Sequence, residues 1–217
     1  MRLYFEPKTK HLMIVPLRNG TIIFDDVMQR HGIVDVTGYL PTNYYQHPDI
    51  PYDITSLLDV INSSNRRTLM FKEPFERLVS FYRNFIYNAV FLENHINLNK
   101  RFELFAPKNR KLDYWSDMFE AKDLFEKYYK CDPHTMPQYS FFDITKQNID
   151  DYDIVDSIEI QKWMQTNFSE EIETRISPIY EIPIKFSSID KIKVLQDMCK
   201  VLYKDDYEYL EPKIRYL

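Results

Sequence analysis

Two short stretches of the chain gather residues able to hold an anion. The first is PLRNGTIIF, residues 16–24, where Gly20 follows an apolar run with Arg18, Asn19 and Thr21 around it. A glycine there lets the backbone approach a phosphate, and the N–H groups opening a following helix point at the anion. Arg18 supplies a permanent charge with several donors, and Thr21 a hydroxyl. The second stretch is FKEPFERLVSFYRN, residues 71–84: Lys72 ends an apolar run, Pro74 suits a first helical turn, and Arg77, Ser80 and Arg83 follow. A solvated basic helix face accounts for Arg77 and Arg83. It accounts less well for a cation at the end of a buried strand with a serine soon after. The GxxxxGK(S/T) phosphate loop is absent, which removes support for ATP or GTP hydrolysis.

Proton transfer from a hydroxyl would need a base, and five histidines are available. His11 starts the first apolar run and His31 ends the helix that follows, so both read as structural, His31 favoured there by the helix dipole. His95 lies in the polar stretch ENHINLNK and reads as solvated. His47 sits in YYQHPDIP, between the two anion-holding turns, with Asp49 as a carboxylate alternative beside it. His134 stands in DPHTMPQYS. A further run of cations, NKRFELFAPKNRK at 99–111, reads first as a solvated surface; as a functional element it suits an acidic glycan or the rim of an anion site.

The elements that must position these residues follow from periodicity. HLMIVPL (11–17) reads as a strand, and TIIFDDVMQRHG as a helix with Ile22, Ile23, Val27 and Met28 near helical spacing and Gly32 as its C-cap. RTLMFK (67–72) followed by PFERLVSFYRNFIYNAVF repeats the grammar of strand, turn and helix. Between them, 41–52 is a loop rich in Pro, Tyr and Asn, and DITSLLDVINSS (53–64) is a helix. Further helices are expected at 114–130 and from Ile160, with mixed segments near 139–160 and an extended, Pro-interrupted stretch at 176–186. SIDKIKVLQDMCKVLYKDDYEYL reads as one closing helix, with Ser187 or Ser188 as N-cap. Alternating strand and helix predicts an α/β fold with a mainly parallel sheet, and ligands in such sheets lie beyond the carboxyl ends of the strands.

KEPFERLVSFYRN resembles the 3′-phosphate-binding motif of carbohydrate sulfotransferases, whose usual form is Arg-(Asp/Glu)-Pro-x-x-Arg-Leu-Val-Ser-x-(Tyr/Phe)-Arg. Every fixed position is met except the first, where Lys72 replaces arginine. RNGT resembles the 5′-phosphosulfate loop Lys-x-Gly-Thr-Thr, with Arg18 at the lysine position and Ile22 replacing the second hydroxyl. HTMPQ, at 134–138, resembles the His-x-x-Pro-Gln segment of the carbohydrate-acting branch, and YKDDYEYL the closing Tyr-x-x-Asp-(Tyr/Phe)-x-(Leu/Ile)-(Phe/Leu) of many sulfotransferases.

The resemblance implies a P-loop-like three-layer α/β fold and transfer of a sulfuryl group from 3′-phosphoadenosine 5′-phosphosulfate (PAPS) to a hydroxyl, with a carbohydrate as the expected acceptor. Adenosine 3′,5′-bisphosphate would be the product, and no metal is required. It further implies that Arg18, Asn19, Gly20 and Thr21 grip the phosphosulfate, with Arg18 also catalytic on the charge growing at the bridging oxygen, that Lys72, Ser80 and Arg77 bind the donor at its 3′-phosphate end, and that His47 acts as base while His134 orients the acceptor or serves as base instead. Lysine offers a point charge where arginine offers a fork, so the 3′-phosphate contact is looser. The rival readings are a non-catalytic nucleotide-binding module of the same fold, favoured by Lys72 and Ile22, and a kinase-like transferase, for which Mg²⁺ ligands are missing.

Composition bounds these readings. With 217 residues, 44% hydrophobic and 16% aromatic, the chain is expected to form one domain over 1–217. A net charge of −5 argues against a general nucleic-acid binder. Cys131 and Cys199 cannot build a disulfide framework or a cysteine-based zinc site, and read as free thiols in a reducing compartment. No apolar run approaches the ~20 residues that span a bilayer, and no signal peptide is read at the N-terminus, so a cytoplasmic location without membrane partners is expected.

Overall fold

A computed structural model describes residues 1–17, 21–39, 54–87, 113–131, 134–171 and 182–215. Among the described residues six strands form one sheet: β1 (Arg2–Glu6), β2 (His11–Val15), β3 (Val34–Asp35), β4 (Arg66–Phe71), β5 (Asp153–Asp156) and β6 (Ile214–Arg215). Their order is β3-β1-β2-β4-β5-β6. β2, β4, β5 and β6 run parallel to one another, whereas β1 is antiparallel to both β2 and β3.

Helices cover both faces, and side-chain alternation along the strands assigns each residue to a layer. Leu12, Ile14, Leu69, Phe71 and Ile154 point to one face, against Leu57 and Ile61 of helix α2 (Thr55–Ser63) and Phe141 and Phe142. Met13, Val15, Met70 and Val155 point to the other, against Phe24, Val27 and Met28 of helix α1 (Thr21–Arg30) and a tryptophan, Trp163. The molecule is therefore a three-layer α/β structure. Being covered on both faces, β2 and β4 read as continuous apolar runs.

Six further α-helices complete the described part. They are α3 (Pro74–Phe81), α4 (Tyr114–Glu120), α5 (Lys122–Tyr128), α6 (Ser140–Thr145) and α7 (Ile160–Phe168), followed by α8 (Ile189–Leu202). α6, which carries Phe141 and Phe142, joins α2, and α7, which carries Trp163, joins α1. α3, α4, α5 and α8 make a third core of their own around Trp115, Phe125, Phe81 and Tyr203.

Several local expectations resolve here. α1 ends in a Schellman motif: Gly32 has φ +64°, the Ile33 N–H bonds to the Met28 carbonyl at 2.9 Å, and the Gly32 N–H bonds to Gln29 at 3.3 Å. Ser188 does occupy the N-cap position of α8, yet its hydroxyl donates to Asp113 at 2.9 Å instead of capping the helix. The single helix expected over 114–130 is broken at Ala121. The closing helix is likewise interrupted: it stops at Leu202 and resumes as a π turn, Asp206–Leu210.

His11 is structural, as its position at the head of β2 suggests. It is 3% exposed, its Nε2 lies 2.8 Å from the Thr68 hydroxyl, and its ring packs on Trp163. Burial, helped by the Arg66 charge, lowers its pKa from 6.5 to about 4. His31 meets Glu170, which also receives Arg30. Among the described residues no helix is long and apolar enough to cross a membrane, and no cluster of His, Cys, Asp and Glu could hold a metal ion.

Candidate functional site

The carboxyl ends of β2 and β4 lie side by side, because these strands are parallel neighbours. β2 leads through residues 16–20 into α1, and β4 leads through Lys72 and Glu73 into α3. Both strand-to-helix connections therefore leave from the same edge of the sheet. α1 has no acidic residue in its first turn, so no carboxylate there offsets its positive end. At α3 the arrangement differs. The Glu73 carboxylate caps the helix by accepting the Glu76 N–H at 2.7 Å. An anion at this second turn would accordingly be met by side chains more than by the helix terminus.

Arg77 has a task that its place in the motif did not announce. Only 2% exposed, it donates from Nε to the Leu17 carbonyl at 3.0 Å and from Nη1 to the Met136 carbonyl at 2.6 Å. One guanidinium thus ties α3 to Leu17, just beyond β2, and to the segment that follows His134. These two donors serve the backbone, so Arg77 builds the site's walls.

Gln138 makes the second tie. Its side-chain amide pairs with both peptide groups of Lys72: Oε1 accepts the Lys72 N–H at 3.0 Å, and Nε2 donates to the Lys72 carbonyl at 2.8 Å. Gln138 is fully buried, and so is Asp206, which receives it. Asp206 Oδ2 accepts the Gln138 N–H at 3.0 Å and its Nε2 at 3.3 Å, while Oδ1 accepts the Tyr139 N–H at 2.7 Å. Burial pushes the Asp206 pKa up to about 6, against the pull of these N–H donors and of the Arg77 charge. The next residue, Tyr207, donates its hydroxyl to Glu73. Adjacent residues of the π turn therefore hold adjacent residues of the β4–α3 turn, one through Gln138 and one directly.

The residues selected from sequence are distributed as follows. Lys72 is partly buried at the end of β4, near the carboxylate of Asp156, whose pKa is raised by burial and by Glu159 while the Lys72 charge draws it down. Ser80 is buried within α3 at 3% exposure. His134 is partly buried and stacks on Phe81, the residue after Ser80, at 6.1 Å between ring centroids. Thr21 opens α1. Arg18, Asn19, Gly20, His47 and Asp49 lie outside the described residues, as do the cationic run 99–111, the loop 41–52 and His95. The structure thus ties Arg77 to Leu17 and to Met136, two residues after His134, while Lys72 follows β4 and Ser80 lies within α3. A groove of about 500 Å³ elsewhere, lined by Ile158, Lys162, Gln165 and Thr166 among others, includes none of them.

Gln138, Asp206, Tyr207 and Glu73 were not singled out as site residues from the sequence. Their signal was present only as motif letters, since pairing between positions 66 or 68 residues apart leaves no local pattern. Comparison of the chain with protein-family models, with curated proteins and with solved structures finds no match. The class defined by the structure itself is a three-layer α/β protein whose two strand-to-helix connections leave one sheet edge.

Proposed function

We propose that the chain is a PAPS-dependent sulfotransferase that places a sulfuryl group on a hydroxyl, with a carbohydrate as acceptor. One observation carries this reading. The segments that resemble the 3′-phosphate motif, the His-x-x-Pro-Gln segment and the closing motif are far apart in sequence. In the fold they are joined by direct hydrogen bonds, Gln138 to Lys72, Asp206 to Gln138 and Tyr207 to Glu73. Arg77 adds the link to Leu17, at the entrance of the phosphosulfate turn.

In this reading the 3′-phosphate is met by Lys72 and Ser80, and the phosphosulfate by the turn at 18–21. A guanidinium at Arg18 stays charged, so it stabilises the oxygen that gains charge as the S–O bond to the leaving bisphosphate breaks. The acceptor hydroxyl attacks sulfur in line, and its proton passes to a base, His47 or His134. A cytoplasmic location belongs to the same proposal and agrees with Cys199, a buried free thiol whose pKa is raised by burial.

The test is incubation with sulfur-labelled PAPS and a panel of glycans, followed by product analysis. Label on a glycan hydroxyl is the expected result. Binding of adenosine 3′,5′-bisphosphate without transfer to any acceptor would favour a non-catalytic module. Phosphoryl transfer from ATP would favour a kinase.

A further inference from the structure

Resting on that donor-site reading, we infer that Asp206 is a positioning residue, which acts through Gln138 to set the Lys72 peptide and thereby the place of the Lys72 ammonium in the donor site. Lys72 lies one residue beyond Phe71, the last residue of β4 in register with β5. The Gln138 amide meets both the N–H and the carbonyl of Lys72 there, at 3.0 and 2.8 Å, much as a neighbouring strand would. The amide is in turn oriented by Asp206, which holds the Gln138 N–H, the Gln138 Nε2 and the Tyr139 N–H.

A fully buried carboxylate is a poor device for stability alone. Desolvation opposes it, and well-packed apolar side chains often do as well or better. What a carboxylate provides here is two acceptor oxygens in one plane, which fix three N–H groups of a single turn. That turn also carries His134 and is held from its other side by Arg77 through Met136. One carboxylate therefore orders the peptide of a donor-binding cation and supports the turn that bears a candidate base.

The test uses Asp206→Asn and Gln138→Met in the full chain, with two readouts. The first is amide hydrogen exchange at Lys72. Both variants are expected to raise it by about tenfold or more, while core amides of β2 and β5 keep their protection. The second is affinity for adenosine 3′,5′-bisphosphate, measured with Lys72 present and in a Lys72→Ala background. Asp206→Asn is expected to weaken binding by about tenfold with Lys72 present and by less than about twofold without it. Unchanged exchange at Lys72 in both variants overturns the inference, and so does an equal loss of affinity in the two backgrounds. If Asp206→Asn does not fold, Gln138→Met still decides, because it leaves Asp206 its two backbone donors. If the unmodified protein binds no bisphosphate while exchange at Lys72 still follows Asp206, the donor reading fails and the positioning link stands.

Discussion

The hydroxyl of Tyr207 donates to the carboxylate of Glu73 across 134 residues of sequence. Glu73 uses its other oxygen on the Glu76 N–H, so one carboxylate both caps α3 and anchors the π turn. Burial raises the Tyr207 pKa, and the Glu73 charge raises it further, which keeps the hydroxyl protonated and donating.

Removing that hydroxyl in Tyr207→Phe should cost about 1–2 kcal/mol of stability, the scale for a bond to a charged partner that is partly shielded. Urea unfolding measures it. Combining the change with Glu73→Gln should cost less than the sum of the two, since both remove one interaction. Full additivity would mean that the pair contributes nothing as a pair.

Adenosine 3′,5′-bisphosphate should stabilise the protein against heat, and 5′-AMP far less. At a hundredfold excess over Kd the gain is about 2.7 kcal/mol. Lys72→Ala should remove most of the difference between the nucleotides. Equal shifts with both in the unmodified protein would eliminate the donor assignment.

Arg18→Ala should lower turnover by roughly 10²–10³ with a smaller loss of nucleotide affinity, the scale for losing one donor to a developing oxyanion. His47→Ala should abolish most turnover while donor binding survives, since a positioned base contributes about 10²–10⁴. His134→Ala should chiefly raise KM for the acceptor. Steady-state kinetics with a sulfated product assay separates the three, and unchanged turnover in Arg18→Ala would show that the phosphosulfate turn lies elsewhere.

Two buried groups should give stability an unusual pH profile. His11 takes a proton near 6.5 when unfolded but only near 4 in the fold, so its contribution is complete above pH 6.5 and is lost as pH falls toward 4. Asp206 takes its proton near 6 in the fold and near 3.8 when unfolded, so its contribution is present below 3.8 and is lost as pH rises through 6. Each is worth about 3 kcal/mol over its full range, and between pH 4 and 6 they oppose each other. Relative to the unmodified protein, His11→Gln should therefore be less damaging near pH 4.5 than near pH 7, and Asp206→Asn more damaging. Urea midpoints at the two pH values decide, and pH-independent differences would refute both assignments.

Much of the fold was legible because its signals are local. The apolar runs at 11–17 and 67–72 became β2 and β4, and Gly32 ended α1 as its position suggested. β1 leaves no strand signal in the sequence. Only Leu3 and Tyr4 of its five residues are buried, and charged side chains flank its apolar centre. β5 has just Ile154 and Val155 inside between two aspartates, and β6 has two residues, too few for any period to emerge. The break in the closing helix was invisible for another reason. Propensity favours continuing the helix through Tyr203, and the departure from it brings Asp206 to Gln138, a partner 68 residues away. The site was readable as separate strings of residues, whereas the bonds between those strings depend on tertiary packing.

The π turn closes with the Glu211 N–H on the Asp206 carbonyl, a span one residue wider than an α turn. Asp206 and Leu210 are buried and Tyr207 is partly so, whereas Glu208 and Tyr209 are exposed. Replacing Glu208 should therefore be silent. Deleting it would narrow the span to an α turn with the Glu211 N–H still on the Asp206 carbonyl, so the chain beyond would keep its facing. The wide turn thus holds one residue in reserve: a gap at Glu208 is absorbed where the same gap within α8 would turn everything after it by about 100°.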